Sequence, residues 1–174
     1  MELRVTDSDG NALKEGEKGE LWFNGPTIIT EYWNRPESTS ESIVEGWLRS
    51  GDIGHIDAEG RVYVSDRVKD MVLRGGENIY CAEVEASIYE IPEVYECSVY
   101  GIPDERLGEK LACHIMVRPG NSLTGNQVAD LLKGRIASYK IPDFVTIVTA
   151  PLPRNASGKI LKRELRQIAI DSSN

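Results

Sequence analysis

Leu152 to Leu165 reads LPRNASGKILKREL: a proline-bounded loop, one glycine, a lysine directly after it, and a basic run with helical patterning. A lysine on a loop that opens a helix can hold an anion, because the ammonium and the helix dipole attract it together. The loop is not a GxxxxGK phosphate loop. It lacks the first glycine, and Ile160 stands where that motif has Ser or Thr. Asn155–Ala156–Ser157 fits the N-glycosylation pattern. With a polar, acidic N-terminus that is not signal-like, and scattered cysteines, we read that match as accidental. Residues 152–166 carry Arg154, Lys159, Lys162, Arg163 and Arg166 against Glu164 alone, in a chain of net charge −8. An acidic protein with one basic tip suits a small anion and argues against nonspecific nucleic-acid binding.

Three other stretches could do chemistry. In SGDIG, Asp52 lies beside glycine and could accept two hydroxyl hydrogen bonds, as ribose-binding carboxylates do. A turn aspartate capping its own backbone is the plainer alternative. In SDRVKD, Arg67 and Lys69 are cations flanked by acids, which also describes a solvated strand edge. In LRGGEN, Gly75 and Gly76 allow positive φ and close backbone approach to a ligand, or form a simple turn. Cys81, Cys97 and Cys113 form no CxxC pair, so they read as reduced and structural, and no metal site is expected. His55 and His114 lie in strand-like segments without a catalytic partner and read as packing residues.

The elements that must position these groups divide near residue 67. Before it the chain is turn-rich and strand-like. Thr6–Asn11 is a turn, Gly19–Gly25 a strand, and Ala58–Gly60 a tight turn between strands. Pro36 suits a first helical turn with Asn34 as cap. After it, Cys81–Ile91 has helical spacing at Val84, Ile88 and Ile91. Two strands follow, VYECSVYGIP and LACHIMVRP. Then come a helix over residues 122–139 capped by Thr124, a strand FVTIVT, and a last helix from Gly158 with Ile160, Leu161, Leu165 and Ile168 as its buried stripe. The expected fold class is α+β: a small β-rich piece over 1–66, then a compact α+β domain over 67–174. No apolar run approaches the ~18 residues of a membrane span.

Each motif is weak alone, but their order is specific. GELWFNGPTIITEYWNRPEST, GWLRSGDIG, GRVYVSDRVKDMVLRGGENIYCAEVE and PRNASGKILKREL together resemble the C-terminal part of the adenylate-forming family. That family includes acyl-CoA synthetases, peptide-synthetase adenylation domains and luciferases. The resemblance implies ATP-driven activation of a carboxylic acid to an acyl-adenylate, then transfer to coenzyme A, with a small C-terminal lid swivelling between two poses. It implies that Asp52 and Arg67 meet the ribose and phosphate region of ATP, and that Lys69 is the hinge. Gly75, Gly76 and Asn78 would belong to the loop used in the thioester pose. Lys159 would bridge the acid carboxylate and the α-phosphate.

The resemblance also implies partners and departures. A large N-terminal domain would carry the rest of the site, because no Ser/Thr/Gly-rich phosphate loop is present. The chain is therefore expected to be a C-terminal fragment, inactive alone. Mg²⁺ would serve the full enzyme without being ligated here. Cytoplasmic location and homodimerisation through exposed strand edges are further expectations. A carrier-protein-loading adenylation domain and a non-catalytic nucleotide-binding module are the alternatives. Cys81 replaces the family's usual proline, leaving a thiol near the thioester-pose loop. Leu73 stands where some relatives have lysine.

Overall fold

The computed structural model describes residues 1–172, which form two units, Met1–Lys69 and Asp70 onward. The division falls just past the expected position at 66/67.

The first unit is an antiparallel sheet of β1 (Glu2–Thr6), β2 (Gly19–Asn24), β3 (Ile43–Val44), β4 (Trp47–Ile56) and β5 (Val62–Arg67), with a short helix α1 (Pro36–Ser42). β4 is the organising strand: it pairs with β2, β3 and β5. Asp7 ties its own turn, since Oδ1 accepts the amides of Asp9 (2.9 Å) and Asn11 (2.8 Å). Asp57 does the same after β4, accepting from the amide of Arg61 at 2.8 Å. These side chains offer the backbone turn bonds in place of ladder bonds, which is why both strands end there. Pro36 opens α1 as expected, but Asn34 is not its cap. Arg35 occupies that position and no side chain caps the helix, while Asn34 itself takes φ 51°. A residue already turned left-handed lies one step outside the helix, where asparagine is tolerated.

The second unit is a mixed sheet covered by helices. Hairpin β6 (Val72–Arg74) and β7 (Glu77–Ile79) precedes α2 (Cys81–Tyr89). β8 (Val94–Asp104) and β9 (Gly108–Val117) form a long antiparallel hairpin, and β10 (Phe144–Val148) joins β9 in parallel. α3 (Gly125–Leu132) and α4 (Lys162–Asp171) complete the unit. One core cluster joins Val84 and Ile88 of α2 to Val99, Cys113 and Ile115 of the sheet and to Val128 and Leu132 of α3. A smaller one sets Leu165 of α4 against Tyr100, Ile102 and Ala112.

Thr124 caps α3 as its sequence predicts, in a capping box with Gln127. The helix nevertheless stops at Leu132 rather than near 139, because Gly134 takes φ 79° and residues 138–140 turn tightly instead. α4 begins at Lys162, not Gly158. Its buried anchor is Leu165, and Ile168 is 49% exposed, which corrects the expected stripe. The three cysteines are buried. His55 stacks on Tyr63 with centroids 4.9 Å apart. The Tyr100 hydroxyl and His114 Nδ1 share a buried hydrogen bond of 2.6 Å.

Candidate functional site

In the first unit the expected ribose residues lie together. Asp52 and Arg67 are register partners on β4 and β5, and Arg67 Nε lies 2.7 Å from Asp52 Oδ1. Lys69 follows within a tight 3-10 turn, Val68–Asp70. The segment bearing Asp52 is held from beneath by a residue the sequence gave little reason to notice. Glu20 is buried, at 8% exposure, yet keeps its carboxylate fully engaged. Its Oε2 accepts from Trp22 Nε1 (2.9 Å) and Arg49 Nε (3.1 Å), and its Oε1 from the Gly51 amide (3.1 Å). A buried carboxylate needs such partners to offset desolvation. Gly51 takes φ 72°, and the Asp52 amide donates to Ser50 Oγ at 2.9 Å. The available signal was GELWF itself: an acid at an inward strand position demands a charged partner.

In the second unit, Gly75 and Gly76 form the β6–β7 turn with φ 59° and 90°, and Asn78 is exposed on β7 opposite Leu73. The hairpin is anchored through Arg74. Its guanidinium donates to the Tyr139 carbonyl (2.9 Å) and to Asp143 Oδ1 (2.8 Å), and the Gly75 amide donates to the Leu107 carbonyl (2.8 Å). Cys81 lies at the first helical position of α2, where proline is favoured. It is fully buried and its thiol donates to the Asp70 carbonyl at 2.9 Å, so it is not an accessible group beside the loop.

Lys159 is exposed, and among the described residues no carboxylate pairs with it. It lies in a small hairpin rather than at the first turn of α4. Arg154 and Ile160 form an antiparallel bridge, and the Asn155 amide donates to the Lys159 carbonyl at 2.9 Å. Asn155 Oδ1 accepts from the Ser157 amide (3.1 Å), Ser157 Oγ (2.8 Å) and the Lys159 amide (2.9 Å). The expected aid from a helix dipole is therefore absent, since such an effect is confined to the terminal turn. What the loop presents is a free ammonium on a knitted turn. Asn155, which matched a glycosylation pattern, is the turn's central acceptor. Among the described residues, no group of three or more His, Cys, Asp or Glu is placed to hold a metal ion. No helix of the described residues is long and apolar enough to cross a membrane.

A family model described as the AMP-binding enzyme C-terminal domain matches residues 83–159. A feruloyl-CoA synthase of Amycolatopsis sp is 42% identical over 95% of this chain and 34% of its own length. A long-chain-fatty-acid–CoA ligase of Mycobacterium tuberculosis is 44% identical over 95% of this chain and 32% of its own. Among solved structures, ATP-bound MatB from Rhodopseudomonas palustris is similar with a TM-score of 0.91 and 35% identity, over 99% of this chain and 35% of that one. The chain thus spans about a third of the length of the curated relatives it matches.

Proposed function

From the premise that this chain belongs to the adenylate-forming enzymes and carries their AMP-binding C-terminal domain, we propose that it works as the mobile lid, with its adjoining β-rich segment, of an AMP-forming acyl-CoA ligase. The reaction is activation of a carboxylic acid by ATP to an acyl-adenylate and pyrophosphate, then capture of the acyl group by coenzyme A. The lid acts against a large N-terminal domain that supplies the acid pocket and the phosphate loop, in a cytoplasmic enzyme.

The observation that carries this reading is the state of Lys159: a free ammonium on a turn braced by its neighbours' side chains. Attack of a carboxylate on a phosphate brings two anions together. A cation between them removes the repulsion and orients both. Asp52 and Arg67, already paired, would receive the ribose and the phosphate region of ATP. Lys69, in the tight turn where the units meet in sequence, is the hinge. Gly75, Gly76 and Asn78 form the hairpin tip that the thioester pose would bring to the pantetheine arm of coenzyme A. Mg²⁺ would enter with ATP, held outside this chain.

The test is Lys159→Ala in the full-length enzyme, with the two half-reactions assayed separately. Adenylation, read by pyrophosphate release, should fall roughly 10²–10³-fold, the order seen when one transition-state donor is lost. Thioester formation from supplied acyl-adenylate should persist. Equal loss in both would overturn the assignment.

A further inference from the structure

Arg154 through Lys159 are all exposed, whereas Leu152 and Ile160 on either side pack on the smaller core cluster. The exposed span between these two apolar footings is placed by polar ties. Asn155 knits the loop internally but does not join it to the domain. The tie to the domain is Glu96 of β8, a carboxylate only 5% exposed. Its Oε1 accepts from the Leu152 amide at 2.7 Å, fixing the chain just before the loop. Its Oε2 pairs with Arg154 Nη2, and Arg154 Nη1 donates to the Gly158 carbonyl at 2.6 Å. The guanidinium therefore spans the loop. One arm is anchored in the sheet, and the other grips the residue immediately before Lys159.

We propose that Glu96 and Arg154 are positioning residues for Lys159: a clamp that sets where the ammonium stands during adenylation. The proposal rests on the reading of Lys159 given above. Its physical basis is the rigid planar fork of arginine, whose two separate Nη arms reach the Glu96 carboxylate on one side and the Gly158 carbonyl on the other, a span that a single ammonium nitrogen does not have. A buried carboxylate is also a fixed reference point, because it cannot move without losing its compensating partners. Far down the other flank, Lys162 Nζ donates to the Val99 carbonyl (2.8 Å) and pairs with Glu85 (2.9 Å), so β8 holds both ends of the segment.

Glu96→Gln in the full-length enzyme tests this. Glutamine keeps the shape and one acceptor but loses the ion pair. Adenylation should fall roughly 10–100-fold, the scale of a displacement of about 1 Å in a positioned group. Thioester formation from supplied acyl-adenylate should be unchanged. Trypsin supplies a readout independent of activity: cleavage at Lys159–Ile160 should speed up, while cleavage at the exposed Lys133–Gly134 bond should not. If Glu96→Gln does not fold, Arg154→Lys serves instead. It keeps a cation beside Glu96 without the second arm, and should show the same selective pattern. Equal loss in both half-reactions, or an unchanged tryptic rate at Lys159, overturns the clamp. If Lys159→Ala itself leaves adenylation intact, the functional reading fails, and faster cleavage at Lys159 would still report the clamp as a structural device.

Discussion

Arg67 Nε lies 2.7 Å from Asp52 Oδ1, and the two residues oppose one another in the β4–β5 ladder. Their side chains are 49% and 30% exposed, so the pair is open to solvent. An exposed ion pair contributes little to stability, usually under about 1 kcal/mol. It does fix the direction of both groups. A carboxylate held by an arginine stays aimed, as the proposed recognition of two ribose hydroxyls requires.

Asp52→Asn should therefore separate binding from folding. Losing a charged hydrogen-bond acceptor costs about 1.5–3 kcal/mol, so the KM for ATP of the full-length enzyme should rise roughly 10–100-fold. The melting temperature of the 174-residue chain should move by only about 2–4 °C, the shift that ~1 kcal/mol produces at that length. Titrating initial rates against ATP, beside a thermal melt, checks both. A large fall in melting temperature with an unchanged KM would mark the pair as structural.

The buried cysteines set a limit at high pH. Burial first, then the Glu85 carboxylate, pushes the Cys97 thiol from 9.0 up to about 12. The sign follows: the folded state favours the neutral thiol, so this stabilisation is complete below the unfolded value and fades as pH rises from about 9 towards 12. Urea midpoints should hold between pH 7 and 8.5 and decline above 9, with Cys97→Ala weakening the decline. Native protein at pH 7.5 should also react slowly with a thiol reagent and quickly once unfolded, since the thiolate is the nucleophile.

Much of this architecture was legible in the sequence because its signals are local. Val84, Ile88 and Ile91 recur at helical spacing and are all buried, and Thr124 with Gln127 announces a cap that forms. Two misreadings share a cause, which is that tertiary contacts set the boundaries. PRNASGK followed by a basic amphipathic run looks like a helix starting at Gly158. The Arg154–Ile160 bridge and the Asn155 side chain instead claim those backbone groups, delaying α4 to Lys162. Ile168 fits a three-residue step from Leu165, but the cluster is met by Ala169 and Ile170 instead, which turns Ile168 outward at 49% exposure. Least legible were Glu20 and Glu96. Each is an acid within a strand whose partners lie far along the chain, such as Arg49 and Arg154, and no spacing rule links them.

Gly76 offers the sharpest test of the hairpin's role, because its surroundings are empty. It takes φ 90°, and a Cβ built there would meet nothing within 4 Å. Gly76→Ala thus creates no clash within the structure. It carries only backbone strain, on the order of 1 kcal/mol for a left-handed alanine. If the hairpin merely turns the chain, both half-reactions of the full-length enzyme should survive with a small loss of stability. If the tip must admit the pantetheine arm against bare backbone, the methyl group obstructs only that step. Thioester formation should then drop at least about tenfold, a barrier rise of about 1.4 kcal/mol, while pyrophosphate release during adenylation stays near its original rate. Single-turnover assays of the two steps, run with Gly76→Ala and with Gly75→Ala, decide between these outcomes. The second variant is informative because a Cβ at Gly75 would lie 3.5 Å from Leu107 Cδ2, an ordinary contact, so it carries similar strain at the neighbouring position.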